Sequence, residues 1–99
     1  MEEVIFQLIM HSGDARSSAM EAIQSAKAGD IEKARTLLEE ANEKLALAHN
    51  GQTTLIQGEA SGQKAEFSLL LVHAQDHLMT TITLKDLAGE IVDIYERLN

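Results

Sequence analysis

The sequence predicts an all-α protein, an antiparallel three-helix bundle, and three observations indicate this class. Aromatic residues make up only 3% of the 99 residues and proline is absent, so the core is aliphatic and nothing forbids long helices. Apolar residues recur at intervals of three and four along most of the chain. Glycine-containing segments, "KAGD" and "GEASG", divide this pattern into three parts. A chain of this length is expected to form a single domain, residues 1–99.

The first predicted helix runs from about Glu2 to Ala28. Its apolar positions repeat at helical spacing: Ile5, Leu8, Ile9, Ala15, Ala19, Ile23 and Ala26. "KAGD" then supplies a glycine stop and Asp30 as the N-cap of the next helix. Such a short connection predicts a helix hairpin.

The second predicted helix carries a seam that repeats strictly at three and four, and it ends at "GEASG". The seam consists of Ile31, Ala34, Leu38, Ala41, Leu45, Ala48, Gln52 and Leu55. Its outer face carries Glu39, Glu40 and Glu43, which we interpret as solvated charges. Gly13 and Gly51 lie inside the first two helices, where glycine costs about 1 kcal/mol relative to alanine. They indicate close helix approach around Ser12, Ala15, Ser18 and Ala19.

The third predicted helix, from about Gln63 to Leu98, has two apolar stripes instead of one. The first contains Phe67, Leu71, Ala74, Leu78, Ile82 and Val92. The second contains Leu69, Leu70, Leu84, Leu87 and Ile91, with His73, His77 and Thr80 in its middle. The exposed arc is narrow: Ser68, Gln75, Asp86, Glu90, Asp93 and Arg97. A small bundle covers one stripe, so the second is expected to meet another subunit of a homo-oligomer.

Charge and composition exclude several classes of function. The formal net charge of -8 and the scattered basic residues argue against nucleic-acid binding and favour a partner with a basic surface. Without cysteine the chain has neither disulfide nor thiol chemistry. With no signal-peptide pattern and no apolar run near 18 residues, the sequence predicts a cytoplasmic protein without direct membrane insertion.

The segment "LLLVHAQDHLMT" holds the candidate functional residues. His73 and His77 are four residues apart and share a helix face, and Asp76 is within reach of His73. Three interpretations are open. The cluster could be a set of satisfied core polar groups. The two histidines could bind zinc, although a third ligand is missing. One histidine could carry a phosphoryl group, which requires an accessible site at a subunit groove.

Three blocks of the sequence resemble a known family. They are "IMHSGDARSSAMEAI", "AHNGQTTLIQGEASG" and "FSLLLVHAQDHLMT", and together they cover nearly the whole chain. The sequence is similar to the IIA component of the lactose/cellobiose class of the bacterial phosphoenolpyruvate-dependent sugar phosphotransferase system. The resemblance implies a homotrimer of three-helix bundles in which His73 is the phosphoacceptor and His77 has a supporting role. It also implies that Asp76 of three subunits faces the trimer axis, neutralised by a divalent cation, Mg²⁺.

The resemblance further implies an activity and partners. Such a protein is a phosphohistidine carrier of the transferase class that takes a phosphoryl group from HPr and gives it to a cysteine of the IIB component. The membrane IIC component, an indirect partner, imports the β-disaccharide, which can be of the lactose, cellobiose or chitobiose type. The sequence does not specify the sugar, because the IIA component never touches it.

Two alternative functions remain at this point. A histidine phosphotransfer domain of a phosphorelay is also helical, but such domains usually place a lysine and a glycine shortly after the histidine, and "HAQDHLM" has neither. A non-enzymatic helical adaptor would oligomerise through the third helix. We assign no chemistry to His11 and His49, since helical histidines with polar neighbours are usually surface or capping residues.

Overall fold

The residues described by the computed structural model, 2–63 and 66–99, form three α-helices and no strand. Helix α1 spans Glu2–Lys27, α2 spans Ile31–Ala60 and α3 spans Leu69–Leu98. They lie side by side in a bundle of 53 × 20 × 17 Å. The start of α1 packs against the end of α2, and α2 in turn runs antiparallel to α3. The predicted antiparallel three-helix bundle is confirmed.

The connection between α1 and α2 is as short as the sequence predicts. Gly29 adopts φ +92°, a left-handed conformation that glycine tolerates, and its N–H donates to the carbonyl oxygen of Ala26. The Asp30 side chain caps α2 by accepting a hydrogen bond of 3.1 Å from the backbone N–H of Lys33. These contacts fix the hairpin that brings α1 and α2 together.

Helix α3 begins later than the sequence pattern predicts. The predicted start at about Gln63 is wrong, because Ser68 is an extended N-cap residue (φ -146°, ψ 160°) and α3 begins at Leu69. Ser68 Oγ accepts a 3.1 Å hydrogen bond from the N–H of Leu71. Phe67 therefore precedes the helix and is 85% exposed, so it does not belong to the inner stripe as predicted. Lys64 and Ala65, which the predicted helix also included, lie outside the described residues.

Replacing Ser68 with alanine removes this cap and is expected to lower the free energy of unfolding by about 1 kcal/mol. Ser17→Ala is the matched control, because Ser17 is exposed inside α1 and alanine is the better helix former there. Urea unfolding of the two variants should therefore give shifts of opposite sign. Equal stabilities would show that the cap does not define the start of α3.

The core changes in character along the bundle. Around the start of α1 it contains long aliphatic side chains: Ile5, Leu8, Leu45, Leu55 and Leu78, together with Ala15, Ala48 and Ala74. Towards the other end alanines predominate: Ala19, Ala22, Ala26, Ala34, Ala41 and Ala88, together with Leu37 and Val92. The predicted seam missed Leu37, which is buried, whereas Leu38 is only half-buried. Two buried polar residues, Ser25 and Thr81, were also missed.

An ion-pair cluster ties the start of α2 to the end of α3. Arg35 contacts Asp93 at 2.8 Å and Glu96 at 3.2 Å, and all three side chains are partly exposed. The hydrogen bond from Arg35 to Asp93 raises the pKa of the guanidinium above its usual value, so Arg35 stays charged. Exposed pairs of this kind add little stability.

Gly89 and Gly29 provide a pair of substitutions with opposite expected effects. A Cβ atom at Gly89 would meet no heavy atom within 4 Å, so Gly89→Ala should raise the free energy of unfolding by about 1 kcal/mol through helix propensity. Gly29→Ala places a side chain at φ +92° and should lower it by about 1 kcal/mol. Thermal unfolding of both variants tests this, and a loss of stability in Gly89→Ala would contradict the open space seen beside α3.

Candidate functional site

The candidate site lies on the first three turns of α3. Ala74, Leu78 and Thr81 point into the bundle and are fully buried. His77 is half-buried, whereas His73 and Asp76 are exposed. The fold therefore anchors this part of α3 on one side and leaves two of the three predicted site residues accessible.

The two histidine rings stack on one another. Their centroids are 5.9 Å apart and their planes differ by 6°. His77 also faces α1, where its Nε2 atom lies 3.6 Å from the position that a Cβ on Gly13 would occupy. His77 thus lies against α1 beside Gly13, and it supports one face of the His73 ring. This is an ordinary van der Waals distance to a side chain, so the close helix approach predicted at Gly13 stays a prediction.

Asp76 occupies the side of α3 that faces away from the bundle. Helix geometry places it about 180° around the axis from the mean direction of the buried residues Ala74 and Leu78. Most of the apolar residues around it are strongly exposed. We call this surface the outward face; it contains Leu69 (85% exposed), Val72, Asp76, Met79, Leu87, Ile94 and Leu98.

The outward face corrects the predicted second stripe. Leu69 and Leu87 belong to it, but Leu70, Leu84 and Ile91 are half-buried instead. Asp76, and not the histidine pair, lies at its middle, and His73 lies at its edge. The sequence did not predict this position of Asp76, because the apolar residues of α3 cover a wide arc. Their periodicity does not indicate which part of that arc faces the core.

Gln75 does not belong to the exposed arc in which the sequence analysis placed it. It is half-buried, and its Oε1 atom accepts a 2.7 Å hydrogen bond from Gln52 Nε2 on α2. The other predicted arc residues from Asp86 to Arg97 are exposed. Gln75 therefore faces α2, His77 faces α1, and Asp76 points outward between them.

The Asp76 carboxylate could bind a hard cation only where several copies of the chain bring their Asp76 side chains together. Within residues 2–63 and 66–99 no Lys, Arg or His side chain lies within ion-pair distance of its carboxylate. The same residues contain no group of three or more His, Asp or Glu side chains arranged to hold a metal ion. A single copy supplies one carboxylate, and carboxylate oxygens from more than one copy are the donors that Mg²⁺ prefers.

A shallow apolar cavity of about 460 Å³ lies next to the exposed histidine. Leu69, Leu70 and His73 line it. An apolar surface of this kind beside a polar side chain is typical of a protein docking region. His73 can therefore be reached by a partner protein from this side.

The other two histidines lie on different surfaces. His49 is exposed on α2. His11 is half-buried and lines a cavity of about 280 Å³ between α1 and α2, together with Gln7, Asn50 and Thr54. Its Nδ1 atom is buried and makes no hydrogen bond within the part of the chain that the structure describes. Neither histidine lines the cavity beside His73.

Comparison with known proteins identifies the family to which this bundle belongs. Residues 3–96 match the family described as "PTS system, Lactose/Cellobiose specific IIA subunit". The chain belongs to this IIA family. It is thus a component of the phosphotransferase system, and the resemblance found in the sequence is confirmed.

Similar proteins extend over almost the whole chain. The lichenan-specific phosphotransferase enzyme IIA component of Bacillus subtilis is 58% identical over 98 residues, covering 99% of this chain and 89% of that protein. The cellobiose-specific IIA crystal structure from Bacillus anthracis is 54% identical, with a TM-score of 0.96 and coverage of 98% of this chain and 89% of that one. A IIA(chitobiose)–HPr complex from Escherichia coli is 43% identical, with a TM-score of 0.85 and coverage of 98% and 94%.

No helix among the described residues is sufficiently long and apolar to cross a membrane.

Proposed function

We propose that this IIA protein is a cytoplasmic phosphocarrier that accepts a phosphoryl group from HPr on His73 and donates it to a cysteine of the IIB component. The observation that carries this proposal is the exposed His73 ring, which is stacked on His77 and bordered by an apolar cavity. A phosphoacceptor must be reached by two partners in turn, and a ring supported on one face and open on the other satisfies that requirement.

The transfer needs little covalent chemistry from the protein. A nitrogen lone pair of neutral His73 attacks the phosphorus of the phosphohistidine in HPr, a new P–N bond forms, and the P–N bond to HPr breaks. In the second step a IIB cysteine thiolate attacks the same phosphorus, and the bond to His73 breaks. Such a transfer requires that the attacking atom, the phosphorus and the leaving atom lie in line, and that the negative charge of the phosphoryl oxygens is neutralised. Stacking against His77 fixes the plane of the His73 ring and so contributes to positioning.

Two observations support HPr as the donor. One structural neighbour of the chain is a IIA(chitobiose) component in complex with HPr. The formal net charge of this chain is -8, which favours association with a partner that presents a basic surface. We propose that HPr and IIB dock in turn at His73, which lies at the edge of the outward face, while Leu69 on that face meets the neighbouring copy in the homotrimer proposed below. IIC, the membrane component, is an indirect partner.

We also propose that the chain forms a homotrimer through the outward face of α3. Several large apolar residues are exposed on this face, and a second and third copy of the helix would cover them. In this arrangement the three Asp76 carboxylates approach the symmetry axis. Because like charges repel, a divalent cation such as Mg²⁺, bound by these carboxylates, supplies the neutralising charge.

We propose a β-disaccharide as the transported sugar, and the proposed role of this chain does not specify which one. The similar proteins carry lichenan, cellobiose and chitobiose in their names. The proposed reaction on His73 passes a phosphoryl group between proteins and involves no sugar, so sugar specificity belongs to other components.

The test is the intact mass of the purified chain after incubation with phosphoenolpyruvate, enzyme I and HPr. The expected result is a gain of one phosphoryl group per chain, which is lost again when IIB is added in excess. No gain would contradict the carrier function and would leave the oligomeric helical adaptor as the better interpretation of the exposed face of α3.

A further inference from the structure

An amide pair joins α2 to α3 at the level of the candidate site. Gln52 Nε2 donates to Gln75 Oε1 at 2.7 Å, and the bond is partly buried. In sequence Gln75 stands between His73 and His77 and directly before Asp76. This hydrogen bond therefore holds a side chain at the centre of the motif, although Gln52 itself is on another helix.

The direction of this hydrogen bond determines which end of the Gln75 amide is free. A glutamine amide has a carbonyl oxygen on one side and an NH₂ group with two donor hydrogens on the other. Because Oε1 faces Gln52, Nε2 is turned away from that contact. Among residues 2–63 and 66–99 it has no hydrogen-bond acceptor, and it is not sealed from solvent. Gln75 thus offers N–H donors beside Asp76.

Helix geometry indicates what those donors could meet. Gln75 lies on one flank of the outward face of α3, about 100° from Asp76, and His73 lies about 60° from Asp76 on the other flank. In the proposed homotrimer, opposite flanks of neighbouring α3 helices lie side by side. The flank with Gln75 of one copy therefore adjoins the flank with His73 of the next copy, where phosphoryl oxygens would be present.

We propose that Gln52 is a positioning residue of the phosphohistidine site. It acts through Gln75 by turning the Gln75 amide so that N–H groups, and not the carbonyl oxygen, face the phosphoryl site. This inference rests on the proposed function, since it assigns a role in phosphoryl transfer. Donors oriented in advance towards a developing negative charge accelerate transfer, whereas a carbonyl oxygen in the same place repels it.

Gln52→Glu separates orientation from helix packing. A carboxylate only accepts hydrogen bonds, so the Gln75 amide must reverse to donate to it, which keeps the link between α2 and α3 but presents the carbonyl oxygen to the site. The thermal midpoint should stay close to that of the parent chain. The rate of phosphoryl transfer from phosphorylated HPr should fall by about tenfold or more. Gln52→Leu, which removes the link altogether, should lower both the midpoint and the rate.

Gln57→Glu is the matched control, because Gln57 is exposed on the same helix and this variant adds the same charge. It should transfer at the parent rate. If Gln52→Glu also transfers at the parent rate, or loses as much stability as Gln52→Leu, the orienting role is overturned. If the parent chain itself gains no phosphoryl group, the proposed function fails and this inference fails with it, and that outcome is visible before any variant is compared.

Discussion

His73→Ala is expected to abolish phosphorylation of the chain by HPr while leaving the bundle folded. The loss should be complete because, in the proposed reaction, the imidazole nitrogen of His73 forms the bond to phosphorus, and no other group of the site offers an equivalent nucleophile in that position. The fold should survive because His73 is exposed, and exposed substitutions usually change stability by no more than about 0.5 kcal/mol. Intact mass and thermal unfolding measure the two effects separately.

Two further histidine variants serve as controls for this result. His49→Ala removes an exposed histidine on α2 and should leave phosphorylation unchanged. His77→Ala removes the ring that stacks on His73, so the variant should still be phosphorylated, but more slowly. If His77→Ala lost the phosphoryl group completely and His73→Ala kept it, the assignment of acceptor and supporting residue would be reversed.

Asp76→Leu is expected to give a more stable assembly that no longer responds to Mg²⁺. On the outward face Asp76 is surrounded by exposed apolar side chains, so leucine continues an existing apolar surface. In the proposed trimer the Asp76 carboxylates are buried like charges, and replacing them with apolar side chains should stabilise that assembly by about 1 to 4 kcal/mol. Sedimentation gives the oligomeric state, and thermal unfolding with Mg²⁺ or with a chelator gives the metal dependence.

Asp14→Leu is the corresponding control, because Asp14 is an exposed carboxylate on α1. This variant should keep the parent's response to Mg²⁺ and the parent's stability. Monomers in the Asp76→Leu variant would show that Asp76 does not face a symmetry axis. A parent chain that is equally stable with Mg²⁺ and with chelator would contradict the proposed cation site.

Much of the fold follows from local signals in the sequence. Asp30 and Gly29 mark the hairpin between α1 and α2 because a capping side chain and a left-handed glycine are local requirements that need no tertiary partner. Helical periodicity is also a local signal, and it identified most of the buried positions. The family resemblance rested on contiguous blocks of residues, which are independent of the three-dimensional arrangement.

Other features could not be predicted because they depend on how the helices are rotated. Gln75 looked like a solvent-facing residue, yet it bonds to Gln52, which is 23 residues away in sequence. Ser68 is a separate case, because its capping hydrogen bond is local; it was grouped with the exposed arc because the predicted helix start, at about Gln63, was too early. Thr81 is fully buried although threonine is polar. In each case the tertiary arrangement or a capping hydrogen bond overrides the residue's average preference.

The measurement that tests the central claim most directly is native mass spectrometry of the phosphorylated protein, followed by fragmentation under conditions that preserve phosphohistidine. We predict a trimer carrying three phosphoryl groups, each located on His73. A phosphoryl group on another residue, or a chain that stays unmodified in the presence of phosphorylated HPr, would contradict the account.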